Sequence, residues 1–126
     1  MHRRILIILG GFILAAGLVS AAPVAAAPAK TRVARVVFIG KKKACACTKR
    51  KIADAWKALK AGLGQRRIPV VRFQADVKPA EAARYKKKRA YKVVPAVYFL
   101  TAAGQVVDLL QGIVTTADVE QVLGGR

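Results

Sequence analysis

The stretch FIGKKKACACTKRKIADAWKAL, from Phe38 to Leu59, contains both cysteines of the chain, Cys45 and Cys47, between two blocks of positive charge. The residues from Arg32 to Gly40 are largely apolar and β-branched, which predicts a buried strand just before the cysteines. From Thr48 onward apolar residues recur at helical spacing until two glycines stop the pattern, which predicts a helix. The cysteines therefore lie where a strand gives way to a helix.

The following segment repeats this alternation of strand and helix. Residues Ile68 to Asp76 read as a second buried strand, and residues 78–91 as a helix with Pro79 in its first turn and Glu81 near its positive end. Strands separated by helices are expected to pair in parallel through right-handed crossovers.

The last third of the chain predicts two strands and a helix. Ala96–Leu100 and Gln105–Gln111 read as strands joined by a short turn, so they must pair antiparallel. A final helix opens with Thr116 as the predicted N-cap. The order βαβαββα predicts an α/β fold whose mixed four-stranded sheet is flanked by helices on both faces.

The first thirty residues predict an export signal and a leader. A basic start, an uncharged apolar run from Ile5 to Val19 and small residues after it indicate a removable signal peptide over residues 1–21. An uncleaved anchor is the competing interpretation, because the run is just below the length that spans a bilayer. Residues 22–30 form an Ala/Pro-rich leader, and residues 31–126 the single folded domain. We expect a periplasmic or extracellular protein, membrane-tethered if the signal is kept.

The chain is strongly basic, with 24 Lys plus Arg against 6 Asp plus Glu and a net charge of +18. Removal of the signal would leave about +16. Such an excess favours an acidic protein or an anionic membrane surface as a partner. Nucleic acid is not expected, because no base-stacking motif with interleaved aromatic residues is present. We expect a monomer without a cofactor.

The cysteine spacing argues against a stabilising disulfide. Cysteines of exported proteins usually pair. A bridge between Cys45 and Cys47 would close a very small loop, and the stabilisation expected from loop entropy grows with loop size. The backbone would also have to turn tightly to bring the two sulfurs together. The pair therefore points to chemistry at sulfur.

In this order, the motifs resemble the thioredoxin superfamily. The likeness rests on the cysteines between the first strand and helix, VRFQAD ending at Asp76, YKVVPAVYFL with a proline opening the third strand, and GQVVDLLQG. It covers the chain from about Arg32 to Gly125. The resemblance implies a thioredoxin-like fold and thiol–disulfide exchange with protein thiols and disulfides as partners.

The resemblance also implies roles for individual residues. Pro95 is expected to follow a cis peptide bond, which would place the Val94 backbone beside the cysteines to receive an extended substrate segment. Cys45 falls on the attacking position, and Thr48 on the position of the resolving cysteine. The opposite alignment would put Cys47 on the resolving position.

This sequence departs from the superfamily in three places. One residue instead of two separates the cysteines, Ala44 replaces the tryptophan that commonly precedes the first cysteine, and the buried acid of the first strand would fall at Ile39. These departures count against thioredoxin itself.

Local charge predicts a reactive thiol. A helix N-terminus and nearby cations lower a cysteine pKa, and Lys43 and Lys49 could supply those cations. Lys49 in the first helical turn also opposes the helix dipole, and such local conflicts are expected at functional sites. We therefore predict a thiol–disulfide oxidoreductase that uses Cys45 and Cys47 as a relatively oxidising pair.

Two other functions remain open from the sequence. The thiolates of Cys45 and Cys47 could bind a soft metal such as Cu(I) in a metal-delivery protein. Against this, the only histidine, His2, lies in the predicted signal, and no methionine remains after its removal. The domain could also be a non-catalytic binding module with a basic surface.

Overall fold

The computed structural model describes residues 32–124 of the chain. In chain order the elements are β1 (Arg35–Gly40), α1 (Ala46–Leu63), β2 (Val70–Gln74), α2 (Pro79–Lys88), β3 (Ala96–Leu100), β4 (Val106–Gln111) and α3 (Thr116–Leu123). The predicted order βαβαββα is confirmed. The predicted signal peptide and leader lie outside the described residues. Between residues 32 and 124 no helix is both long and apolar enough to cross a bilayer.

The four strands form one mixed sheet in the order β2-β1-β3-β4. β1 and β2 are parallel, with Val36 opposite Val70. β3 is antiparallel to both of its neighbours, β1 and β4. The parallel arrangement expected for every strand preceded by a helix is therefore wrong for β3. The chain enters β3 at the edge where β1 ends, because Ala96 lies opposite Ile39, and so it must run back along β1.

The helices cover both faces of the sheet, as predicted. On one face α1 and α3 pack over a core cluster that includes Phe38, Leu59 and Val119. On the other face Ala82 of α2 packs in a cluster with Tyr98. The two central strands, β1 and β3, are buried on both faces. These two clusters hold the sheet and helices as one domain over the described residues.

Helix α1 begins at Ala46, two residues before the predicted start at Thr48. The backbone N–H of Lys49 donates to the Cys45 carbonyl at 3.0 Å, so Cys45 is the N-cap residue. Cys47 therefore lies inside the first turn. Ala and Cys at 46–47 add no apolar periodicity, which is why the sequence pattern placed the start too late.

Helix α3 is capped by Thr115, and the predicted cap at Thr116 is wrong by one residue. The Thr115 hydroxyl accepts from the backbone N–H of Asp118 at 3.2 Å, and the Asp118 carboxylate accepts from the Thr115 backbone N–H at 3.2 Å. This reciprocal pair is a capping box, in which both groups at the helix start are satisfied. Two consecutive threonines left the choice ambiguous in the sequence.

Gly62 allows α1 and α3 to approach each other closely. A Cβ atom at this position would lie 2.4 Å from Val119 Cγ1 and 2.6 Å from Val119 Cβ. Both distances are far below van der Waals contact, so any side chain here would push the two helices apart.

We predict that Gly62→Ala destabilises the domain by about 1–3 kcal/mol, the usual cost of overpacking a core. At an open helical site the same change would stabilise by up to ~1 kcal/mol, because alanine has the higher helix propensity. The direction in which the urea unfolding midpoint shifts therefore distinguishes a close helix contact at Gly62 from an open helical site. A midpoint at or above that of the wild type would show that the helices do not touch here.

Candidate functional site

Cys45 lies at the junction between β1 and α1 and is exposed. Its backbone is extended, with φ −65° and ψ 162°, and α1 starts at the next residue. The sulfur is a free thiol. As the N-cap residue, Cys45 occupies the position where a helix offers unpaired N–H groups and partial positive charge to an anion.

Thr48 is the nearest partner of this thiol. Its hydroxyl oxygen lies 3.2 Å from Cys45 Sγ, where it can donate a hydrogen bond to a thiolate. This contact is the largest cause that lowers the pKa of Cys45 below its ordinary value of 9.0, and the backbone N–H of Thr48 acts in the same direction. Partial desolvation opposes both. The first turn of α1 therefore favours the anionic form of Cys45.

The sequence reasoning did not identify Thr48 as this hydrogen-bond donor. A usable signal was present, because Thr48 follows Cys45 by three residues, the spacing of an N-cap and its capping-box partner. Lys43 and Lys49, predicted to tune the pKa, are both exposed. Neither charge is among the causes of the lowered pKa of Cys45. Their tuning role stays a prediction.

Cys47 is also exposed and carries a free thiol, but it occupies the second position of α1. Cys45, by contrast, precedes the helix with an extended backbone, so the two thiols have different backbone surroundings. The position that faces Cys45 on this turn belongs to Thr48.

Asp76, which follows β2, holds the loop that leads to Cys45. Its two carboxylate oxygens accept from the backbone N–H groups of Lys42 and Lys43, each at 2.8 Å. These hydrogen bonds, followed by the charge of Lys41, lower the pKa of Asp76 below its ordinary value of 3.8. The loop is thereby tied to the neighbouring strand just before the thiol.

A groove of about 640 Å³ lies beside Cys45. Its lining comes from the cysteine loop (residues 41–45), the first turns of α1, the segment before β3 and the residues that follow β2 and β4. The lining residues are Lys41, Lys43, Ala44, Cys45, Thr48, Lys51, Ala75, Tyr91, Lys92, Val93, Val94 and Gly112. Cys47 is not part of this lining. The structure thus brings one of the two cysteines to the groove.

The segment before β3 forms a further part of the groove lining. The Val94–Pro95 peptide bond is cis, as the resemblance implied, and Val94 lines the groove together with Cys45. Pro95 is buried, and its carbonyl accepts from the Gly112 N–H at 2.9 Å. The Gln111 side-chain oxygen accepts from the backbone N–H of Lys92 at 2.7 Å. The binding roles of Val94 and Pro95 stay predictions.

The described residues offer few ligands for a metal. No three His, Cys, Asp or Glu side chains gather at one place within residues 32–124. Cys45 and Cys47 are both free and exposed, so they are the two thiolates that a soft metal could use within these residues. The copper alternative stays a prediction.

No protein-family model matches the chain, and no curated protein matches it. Among solved structures, the chain is similar to the solution structure of oxidised thioredoxin from Plasmodium falciparum, with 16% sequence identity and a TM-score of 0.41. The alignment covers 76% of this chain and 83% of that chain. This level of similarity carries no information on activity. The βαβαββα order and the mixed sheet of the described residues agree by themselves with the predicted thioredoxin-like architecture.

We predict that Thr48→Val raises the pKa of Cys45 toward its ordinary value of 9.0, because the hydroxyl that stabilises the thiolate is lost. The pH profile of iodoacetamide alkylation measures this pKa, with Cys47→Ser as the background so that only one thiol reacts. Thr48→Ser keeps a hydroxyl and should keep the profile of the background protein. A profile that stays in place in Thr48→Val would show that the hydroxyl does not act on the thiolate.

We predict that Asp76→Asn destabilises the domain at neutral pH and that this difference disappears in acid. The pKa of Asp76 is depressed by folding, so its contribution is present above 3.8, the ordinary value, and is lost as the pH falls through the folded value. Thermal unfolding of both proteins from pH 7 downward tests this. A stability difference that does not change with pH would contradict the role of the charged carboxylate.

Proposed function

We propose that this protein is a thiol–disulfide oxidoreductase in which the Cys45 thiolate attacks disulfides of other proteins. The observation that carries the proposal is the position of Cys45: an exposed N-cap thiol with a lowered pKa, beside a groove large enough for a peptide segment. A cysteine that served only to fill space would be buried and apolar in its surroundings.

The first step is an exchange at sulfur. The Cys45 thiolate attacks one sulfur of a substrate disulfide, a new bond forms between these two sulfurs, and the old bond breaks. The second substrate sulfur leaves as a thiolate, so charge and electrons balance. A lowered pKa raises the thiolate fraction of Cys45 at neutral pH and also makes Cys45 a good leaving group in the reverse direction.

The second step resolves the mixed disulfide, and we assign it to a thiol other than Cys47. This assignment is supported by the groove lining, which contains Cys45 and Thr48 but not Cys47, and by the contact of the Cys45 sulfur with the Thr48 hydroxyl. A thiolate from another molecule, either a second cysteine of the substrate or a small thiol, therefore attacks the mixed disulfide and releases Cys45. The net reaction moves a disulfide from one pair of thiols to another.

The predicted export signal fits this chemistry. Outside the cytoplasm protein disulfides persist and require rearrangement, so protein thiols and disulfides are available as partners. Stabilisation of the Cys45 thiolate makes it a good leaving group from the mixed disulfide, which favours onward transfer of the disulfide to another thiol. A monomeric, exported protein that shuffles disulfides is consistent with these features.

We predict that Cys45→Ser abolishes exchange with a peptide disulfide, whereas Cys47→Ser retains most of the wild-type turnover in the presence of a small thiol. Stopped-flow fluorescence of a quenched peptide disulfide measures turnover, and mass spectrometry detects the mixed disulfide. If Cys47→Ser alone accumulates the mixed disulfide and stops turning over, then Cys47 is the resolving thiol and the second step is wrong.

A control experiment separates redox chemistry from metal binding. Cu(I) is titrated into the reduced protein against a competing chelator of known affinity. The proposed function would be contradicted by three results together: the wild-type protein binds Cu(I) tightly, both cysteine variants lose this binding, and the wild-type protein exchanges no disulfide.

A further inference from the structure

We propose that the groove beside Cys45 binds an acidic segment, in which carboxylate side chains flank the substrate cysteine. This inference deepens the proposed function, because it names the class of substrate that the same site accepts. It rests on the charge and shape of the groove, and its binding test does not require the thiol to react.

Charge along the groove is of one sign. None of the lining residues is an aspartate or glutamate. Four of them are lysines: Lys41, Lys43, Lys51 and Lys92. In the part of the chain that the structure describes, the ion pairs join Arg84 to Glu81 and Arg89 to Asp108, both outside the groove. The lysines are therefore available to an external anion.

The acidic residue next to the groove, Asp76, already has hydrogen-bond partners. The two oxygens of Asp76 accept from the backbone N–H groups of Lys42 and Lys43, which lower its pKa, and the charge of Lys41 acts in the same direction. A negative charge that enters the groove would meet the remaining lysines without competition from an internal ion pair. Charge of this kind raises both the association rate and the selectivity for anionic partners.

The groove also offers apolar contacts beside its lysines. Val93 is 50% exposed, although it is a large hydrophobic residue, and Tyr91 and Val94 lie next to it in the lining. Exposed apolar side chains rimmed by charge are typical of recognition surfaces. An acidic segment with at least one apolar side chain would match both features, and its cysteine would lie against Cys45.

Shape favours a peptide segment over a lipid surface. The groove is concave, with Lys43 and Lys51 on the side of the cysteine loop and α1, and Lys92 on the segment before β3. A chain segment can enter between these elements and reach all three cations. A flat bilayer surface would instead contact exposed lysines irrespective of whether they line the groove.

The test measures binding of labelled peptides by fluorescence anisotropy. One peptide carries serine in place of the substrate cysteine, with two glutamates and one valine around it, and its partner peptide has glutamine at both glutamate positions. We expect the acidic peptide to bind at least about tenfold more tightly at low salt, with a preference that shrinks as salt rises. Equal affinities would overturn the inference.

Matched variants separate the groove from the general basicity of the chain. Lys51→Gln with Lys92→Gln removes two charges from the groove, whereas Lys57→Gln with Lys87→Gln removes two exposed charges elsewhere. The first pair should abolish most of the preference for the acidic peptide, and the second should keep most of it. An equal loss in both would show that net charge alone binds the peptide, which also overturns the inference.

Two further arms distinguish this inference from its alternatives. In the first arm, the wild-type protein is mixed with a small neutral disulfide. Failure of Cys45 to react would contradict the proposed function, whereas binding of the acidic peptide would still support the inference about the groove. Sedimentation with vesicles that contain anionic lipid tests the membrane. If the groove variants lose vesicle binding but bind the acidic peptide as the wild type does, the lysines serve a membrane surface and the inference is wrong.

Discussion

The Asp76 carboxylate, through two hydrogen bonds to the cysteine loop, sets the position on which the rest of the site depends. The backbone N–H groups of Lys42 and Lys43 are both donors to it, so the chain leaves β1, bends against the end of β2 and enters α1 in a defined place. Because the helix then starts at Ala46, Cys45 becomes the N-cap and Cys47 a helical residue. Two cysteines one residue apart thus acquire different surroundings.

A comparison of the first turns of the three helices shows why the N-terminus of α1 favours the thiolate form of Cys45. α2 and α3 each carry an acid in the first turn, Glu81 and Asp118, which complements the positive end of the helix dipole. α1 has none there, and Lys49 adds a positive charge to the same turn. The thiolate of Cys45 is the group that can supply the missing negative charge. The chain thus leaves a local conflict at the position where chemistry is proposed.

The sequence predicted those features that depend on neighbouring residues. The sequence pattern located every strand and helix, and the bounds of β3 agree residue for residue. The expectation that β2 is buried was wrong, because β2 is an edge strand in which Phe73 is the buried residue. The direction of β3 was missed because strand pairing depends on where the chain re-enters the sheet, which no local pattern records. The start of α1 was missed because Ala46 and Cys47 add nothing to the apolar repeat. Periodicity is a weak guide to ends that are set by caps.

The residues of the candidate site could be predicted from the sequence better than the interactions that position and activate them. The position of Cys45, the cis bond before Pro95 and the proximity of Val94 followed from the resemblance. The hydrogen bonds to Asp76 join residues more than thirty positions apart, so they required the fold. The predicted sources of the lowered thiol pKa were the helix N-terminus and the lysines, and the largest cause in the structure is the Thr48 hydroxyl, 3.2 Å from the sulfur.

Short hydrogen bonds at Cys45 and the charges of the groove lysines affect the site in different ways. Hydrogen bonds from the first turn of α1 act on the Cys45 sulfur at contact distance, where salt screens them little. In the proposed function, the lysines of the groove act over longer distances through solvent, where charge attracts a partner and salt weakens the attraction. Reactivity can therefore stay constant while recognition responds to the charge of the substrate. Under the proposed function, Cys45 supplies the reactivity and the groove lysines supply the selection among substrate proteins.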